Sequence, residues 1–350
     1  MEPTTDPIVL ARRIADRWIR EERYKWLIYH TNITHYGLMR LSRAGGGDRY
    51  LAHVRDAYHY YRTELQNELT APDFHMHVFG IAEAELLAAA DEPELRELVL
   101  AHTDALLQRQ NRSPDGAFVH RDGNTVFVDC LAGIVPFLAK VASLTNDSRC
   151  LDEAYRQVQI YYSRLVKPAT PLVTQGEGCH IFDDWPGSYR RQTDGAWARG
   201  NGWMALALAE LMSYMPQDHP YFEALLTIYA RFCAGLLDFQ DTDGMWHQIV
   251  DRPDAYQETS GTALIAYALA RGVRSGWLDA SVKAAVERSY AGLTAVVEED
   301  ATIHGTCIGT PFQASEKAYF RLPAPVDDLH GHGPIILLCS ELAQLRSEQG

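Results

Sequence analysis

The sequence predicts an all-α fold in which helices pair into hairpins and the hairpins close into a ring. Three observations carry this. Apolar residues recur at helical spacing through nearly the whole chain, whereas alternating strand-like runs bounded by turns are few and short. Some helices are apolar on nearly every face, as in W-M-A-L-A-L-A-E-L-M from Trp203 to Met212 and T-A-L-I-A-Y-A-L-A from Thr262 to Ala270. Others, such as Leu151 to Leu165 and Ala280 to Leu293, are more charged. A helix apolar all round is buried all round, so the first kind forms an inner ring and the second an outer one. Finally, charged residues at or just ahead of helix starts, Asp73, Asp129, Arg199 and Glu258, recur at intervals of roughly 56 to 70 residues, the length of a helical hairpin with its loops. Six such hairpins make an (α/α)6 barrel with its polar helix starts gathered at one mouth.

Twelve helices are predicted. They fall near 6–27, 34–43, 48–68, 75–90, 93–110, 129–145, 148–166, 201–215, 219–239, 258–274, 279–297 and 330–346. The breaks carry stop signals: G-G-G-D at Gly45 to Asp48, T-N-D-S at Thr145 to Ser148, and the two prolines between Met215 and Pro220. No Pro/Gly/Ser linker interrupts this series, which places residues 1–350 in one domain.

Composition is that of an ordinary globular chain, 47% hydrophobic and 22% charged. A net charge of -14 argues against nucleic acid or an anionic membrane surface as the main partner, because no excess of Lys and Arg exists to displace counterions. The stretch from Met1 to Trp26 lacks the apolar run of a signal peptide, and no segment approaches the ~18 apolar residues of a membrane span. The six cysteines are scattered without a C-x-x-C pair, as expected of free thiols in a reducing cytoplasm.

Two helix starts stand out chemically. Asp129 is preceded by V-F-V and followed by C-L-A-G-I-V-P-F-L, a carboxyl among apolar neighbours. It reads either as a helix N-cap or as a general acid whose proton is retained through desolvation. W-A-R-G-N-G-W, from Trp197 to Trp203, offers two indoles able to stack on a sugar and, in Arg199, a planar fork for a carboxylate. Gly200 and Gly202 suggest close approach of backbone to a ligand. Histidines recur in loops, including His180, His247, His304, His330 and His332, but their spacings match no standard zinc pattern, and no metal is predicted. G-x-S-x-G and a Walker-type G-K-[ST] are absent from the sequence.

In order, D-G-A-F-V-H-R, V-F-V-D-C-L-A-G-I-V-P-F-L-A, W-A-R-G-N-G-W-M-A-L-A-L-A-E-L, F-Q-D-T-D-G-M-W-H-Q and Y-Q-E-T-S-G-T-A-L-I-A-Y-A-L-A-R-G-V-R resemble the unsaturated rhamnogalacturonyl hydrolases of glycoside hydrolase family 105. More distantly, the chain is similar to the unsaturated glucuronyl hydrolases. The resemblance runs from about Tyr50 to the C-terminal H-G-H-G-P-I-I-L-L. It implies the same (α/α)6 barrel and an unusual reaction, hydration of the C4=C5 double bond that a polysaccharide lyase leaves on a terminal uronic acid. It also implies Asp129 as general acid and base, Asp73 in P-D-F-H-M-H as a second aspartate, and His180, Trp197, Arg199 and Trp203 as substrate-binding residues. His120 and Trp246, in the flanking motifs, join them as substrate-binding candidates. No cofactor is implied, and the expected partner is a small, disaccharide-sized unsaturated oligosaccharide. Two other readings stand beside this one: a sugar epimerase or isomerase on the same barrel using His180 and His247, and a non-catalytic carbohydrate-binding protein.

Overall fold

A computed structural model describes residues 6–65, 80–108, 111–119, 125–178, 193, 195–313 and 315–348. Among them lie twelve α-helices of nine residues or more: α1 (Pro7–Arg20), α2 (Tyr29–Leu41), α3 (Arg49–Glu64), α4 (Ile81–Ala89), α5 (Pro93–Leu107), α6 (Asp129–Thr145), α7 (Ser148–Leu165), α8 (Ala198–Tyr214), α9 (Phe222–Leu237), α10 (Thr259–Arg274), α11 (Lys283–Ala295) and α12 (His332–Ser347). One further helical turn spans Glu316–Tyr319.

The even-numbered helices form a closed inner ring. α2 packs on α4, α4 on α6, α6 on α8, α8 on α10, α10 on α12, and α12 returns to α2. Each odd-numbered helix covers this ring from outside, α3 on α2, α5 on α4, α7 on α6, α9 on α8, α11 on α10 and α1 on α12. The assignment of helices to layers follows their sequence pattern. Every residue of α8 from Ala198 to Met212 is buried, as is every residue of α10 from Thr259 to Val273, whereas α7 buries only one face.

Where helix limits differ from those predicted, tertiary burial outweighs local propensity. α2 begins at Tyr29 rather than near 34, although T-N-I-T is a poor helix former, because Thr31 to Leu41 are all buried in the ring. The Thr34 hydroxyl donates to the His30 carbonyl, 2.8 Å away, so its polar group is satisfied locally. α8 starts at Ala198 rather than 201, which brings Arg199 and Gly200 into its first turn. α1 stops at Arg20, ahead of the predicted 27, where Glu22 turns left-handed at φ 53°. The predicted helix 75–90 is seen as Ile81–Ala89, and its first residues lie outside the described ones.

The C-terminal halves of the inner helices carry a feature that no local motif announces. Each contributes one buried charged side chain, Arg40, Glu85, Lys140, Glu210, Arg271 and Glu341, and around the ring their signs alternate. Arg40 meets Glu341 at 2.9 Å, Arg271 lies 3.4 Å from Glu341 and 3.8 Å from Glu210, and Lys140 lies 3.3 Å from Glu85. Tyr36 and Tyr267 donate to Glu210, and Tyr214 donates to Glu85. The cations sit in the second halves of their helices, where the helix dipole favours them. This ionic plug fills the end of the ring remote from the polar helix starts.

Candidate active site

All six inner helices run in the same sense, so their N-termini share one mouth. The start of α6 is fixed by a two-residue ladder in which Val126 pairs with Glu177 and Phe127 with Gly176, and by a hydrogen bond from Val128 N to Gln175 O of 3.0 Å. Asp129 thereby becomes the first residue of α6 rather than its N-cap, which is Val128. The residue is 9% exposed, and its Oδ2 is buried and accepts no hydrogen bond. Burial pushes its pKa up to about 7, against the smaller opposing effects of the Arg199 charge, its own backbone N–H and the Trp203 indole. A carboxyl so placed holds a proton near neutrality.

Glu258, the N-cap of α10, shows the contrasting case. Its Oε1 accepts from Ser260 N, Ser260 Oγ and Cys307 N, at 3.2, 2.7 and 3.0 Å, and Oε2 accepts from Gly261 N at 2.6 Å. Two buried acids at helix starts on the same mouth thus differ in kind: Glu258 ties backbone together, and Asp129 keeps an uncommitted oxygen.

The W-A-R-G-N-G-W segment is built differently from what its composition suggests. Arg199 is 1% exposed. Its Nη1 donates to Cys307 O at 2.7 Å and reaches Cys307 Sγ and Ser260 Oγ, while Nη2 donates to Ile308 O at 2.6 Å and contacts Thr310 Oγ1. The guanidinium lies 4.7 Å from the Trp197 ring centroid and 3.9 Å from Glu258. Both Nη groups of the fork expected to receive a substrate carboxylate therefore clamp the loop at 307–310. Asn201 bonds both backbone groups of Val173.

The glycines serve helix packing rather than ligand approach. A Cβ on Gly202 would fall 2.7 Å from Leu264 Cβ, and one on Gly200 would fall 2.8 Å from the Trp197 ring. Trp197, Trp203 and Trp246 are 1%, 1% and 0% exposed, so none offers an open face for sugar stacking. Trp246 is a packing residue whose indole N–H donates to Leu236 O at 2.7 Å. His247 has both ring nitrogens engaged, Nδ1 with Ala255 O at 2.7 Å and Nε2 with Asp241 at 3.2 Å. Asp73, His120 and His180 lie outside the described residues.

Two residues that the sequence did not mark, Tyr29 and His30, reach this mouth, together with His330, which it marked only as a loop histidine. Tyr29 and His30 open α2, and His330 precedes α12. The Tyr29 hydroxyl bonds His330 Nε2, and His330 Nδ1 lies 2.5 Å from Asp328 Oδ1. Tyr29 lies within electrostatic reach of both Asp129 and Arg199. The His30 and His330 rings are 5.3 Å apart, and burial pulls the His30 pKa down to about 3. His332, the other histidine of H-G-H, turns instead to Arg23 and Asp327, at 2.9 and 3.4 Å. The two histidines of this pair thus serve separate partners.

A six-hairpin barrel with a proton-holding carboxyl at its mouth is the framework of a carbohydrate-active enzyme. The chain belongs to glycosyl hydrolase family 88, which it matches over residues 10–346. It is similar to the unsaturated rhamnogalacturonyl hydrolase YesR of Bacillus subtilis, 28% identical over 194 residues, covering 55% of this chain and 52% of that one. It is also similar to an unsaturated 3S-rhamnoglycuronyl hydrolase of Alteromonas sp., 30% identical over 153 residues, covering 42% and 35% of the two chains. The matches thus span about half or less of the length of these curated relatives. A crystal structure from Klebsiella pneumoniae, described as a possible member of the GH105 family, shares the fold with a TM-score of 0.85 at 19% identity, covering 97% of this chain and 93% of that one.

Proposed function

We propose that this chain removes a terminal 4,5-unsaturated uronic acid from lyase-generated oligosaccharides by hydrating the C4=C5 double bond. The observation that carries the reading is the buried Asp129 carboxyl with its pKa near 7, because protonating carbon requires an acid that is still protonated at neutral pH and shielded from water. Family membership and the activities named for the two curated relatives support the same substrate class.

In this scheme Asp129 delivers its proton to C4, and the π electrons form the new C–H bond. Positive charge develops at C5 and on the ring oxygen, which the Asp129 carboxylate left behind stabilises. Water adds to C5 and returns a proton to Asp129, and the resulting hemiketal opens to release the keto-uronic acid and the shortened sugar. General-acid assistance of this kind contributes roughly 10² to 10⁴-fold. The uronate itself is favoured at a mouth onto which six helix N-termini converge, which offsets locally the net charge of -14.

Asp73, His120 and His180 enter this scheme through the resemblance alone, as second aspartate and substrate-binding residues. For Arg199 the geometry supports an indirect role, holding the 307–310 loop and lending its charge to Asp129. An epimerase using His247 draws no support from a ring whose two nitrogens are already engaged. The reading is tested by following loss of the absorbance of the conjugated C=C across a panel of lyase-generated disaccharides. Saturated counterparts serve as controls. A panel on which the enzyme leaves every double bond intact would remove the hydrolase reading.

A further inference from the structure

The segment 173–177 runs beside the start of α6 and ties it to its surroundings. Val173 bonds Asn201 of α8 through both backbone groups, Thr174 N donates to Leu165 O at the end of α7 at 2.9 Å, and Gly176 and Glu177 pair with Phe127 and Val126. Between them, Gln175 O accepts from the backbone N–H of Val128, the residue immediately ahead of Asp129. The Gln175 side chain turns elsewhere. It is fully buried, its Nε2 donates to Thr310 O at 2.7 Å, and its Oε1 accepts from the Tyr319 hydroxyl. These partners lie 135 and 144 residues further along the chain. The amide has a single orientation, because a carbonyl accepts and cannot donate, so Thr310 O must face the NH2 group. Thr310 closes the loop that Arg199 clamps: Arg199 takes the Cys307 and Ile308 carbonyls, and Gln175 takes the Thr310 carbonyl. Gln175 thus connects the backbone next to Asp129 with the loop held by the guanidinium whose charge acts on Asp129.

We propose that Gln175 is a positioning residue for Asp129: by locking the strand that leads into α6 to the 307–310 loop, it keeps water from the Asp129 carboxyl. The inference rests on the hydration reading above and deepens it. A ladder of two residues on each side is marginal on its own, so the strand needs an anchor beyond its backbone pairing. The buried amide supplies it. Its two hydrogen bonds are made in an interior closed to water, where an unmade bond is costly, and they fix strand and loop in one relative position. Both polar ends of the side chain are engaged, so Gln175 acts through Asp129 and not on the substrate. The charges around Asp129 are otherwise accounted for. Among the described residues, Arg199 of α8 and Tyr29 of α2 act on it. Glu83 and Glu85 of α4 are paired with His102 and with Lys140 of α6, Glu177 is paired with Arg164 of α7, and Glu153 of α7 with Arg112. The remaining charged side chains of α5 and α7 are exposed. Gln175→Met exchanges one neutral side chain for another of the same length, so what it changes at Asp129 is position and solvation, not charge.

Two readouts test this. In protein carrying carbon-13 at its aspartate carboxyls, with the Asp129 signal assigned by its loss in Asp129→Asn, the carboxyl should titrate at about 7 in the wild type. In Gln175→Met, where water reaches it, it should titrate about one to two units lower. On an unsaturated disaccharide, kcat/KM of Gln175→Met should then fall about ten- to a hundredfold at pH 8, and stay within about threefold of wild type at pH 5, where the acid is still largely protonated. A change that merely weakens the fold lowers activity by the same factor at both pH values. Glu341→Gln, which lies at the opposite end of the ring, is the control and should leave the Asp129 titration in place. A shift smaller than about one unit in Gln175→Met, or a loss of kcat/KM equal at pH 5 and pH 8, overturns the proposal. If Gln175→Met does not fold, Gln175→Asn, one methylene too short to reach both Thr310 and Tyr319, carries the same readouts by the same criteria. The carboxyl titration needs no substrate, so a wild type inert toward unsaturated uronides would remove the hydrolase reading while the role of Gln175 is still tested.

Discussion

The Nη1 of Arg199 lies 2.7 Å from the carbonyl oxygen of Cys307, a residue 108 positions further along the chain. With Nη2 on the Ile308 carbonyl and Glu258 3.9 Å away, the guanidinium joins the start of α8 to the start of α10 and to the loop before α12. Lysine would keep the charge and lose the fork. Arg199→Lys should therefore lower the melting temperature, and Arg199→Ala more so, since truncation leaves Glu258 buried beside an empty space, a loss of about 3–5 kcal/mol. Affinity for a neutral ester of the substrate should weaken by the same factor as for the free acid. Selective weakening toward the acid would instead make Arg199 the uronate partner.

Asp129→Asn should lower kcat by at least about 10²-fold with KM within a few-fold, since the acid acts mainly in the transition state. Near wild-type turnover would remove Asp129 from the mechanism. The pH dependence has a definite sign: kcat/KM should fall as pH rises through about 7, where the free enzyme's Asp129 loses its proton.

The same shift makes a stability prediction. The folded-state pKa lies above the unfolded one, so the folded protein binds the extra proton, and stability is fully present below about 3.8 and is lost as pH rises through about 7. By pH 8 the buried carboxylate costs a few kcal/mol. Asp129→Asn, which cannot ionise, should melt higher than wild type at pH 8 and about level with it at pH 4. Equal melting temperatures of the two proteins at pH 8 would contradict the desolvated carboxylate.

How much of this was legible in the sequence depended on how local each signal is. The burial of Asp129 was legible in its flanking apolar residues, and α6 runs from 129 to 145 as predicted, because a buried helix between V-F-V and T-N-D-S is specified within about twenty residues. Layer assignment was legible for the same reason. The partners of Arg199 were not, since they lie more than a hundred residues away and two are backbone carbonyls, which no side-chain motif encodes. Tyr29 and His330 are 301 positions apart and meet only because the ring closes. The tryptophans read two ways, since an indole suited to stacking on sugar is equally suited to filling the space between helices, and all three are buried.

Gly261 tests the close approach of α8 and α10. A Cβ there would lie 2.6 Å from the backbone carbon of Ala198, and backbone cannot rotate aside as a side chain can. Gly261→Ala should cost about 1–3 kcal/mol through overpacking. It should also lower activity, because the displaced helix starts carry Glu258 and Arg199. Gly276, at φ 73° with nothing within 4 Å of its added Cβ, is the control: Gly276→Ala strains the backbone without moving the mouth and should change stability but not kcat.

The ionic plug gives the last prediction. Glu341 is fully buried and faces Arg40 at 2.9 Å, Arg271 at 3.4 Å and Arg274 at 2.5 Å. Glu341→Gln leaves three guanidinium groups sharing one fewer anion in a site closed to water, which should destabilise the fold by about 3–5 kcal/mol. Arg40 is the more tolerant partner, because removing it leaves Glu341 with two cations, so Arg40→Met should cost clearly less. Both variants should keep wild-type kcat per folded molecule at temperatures well below their melting points, since the plug and Asp129 occupy opposite ends of the inner helices. Denaturant unfolding read beside turnover separates the two effects. A Glu341→Gln enzyme as stable as the wild type would mean that the alternating charges do not hold the ring closed.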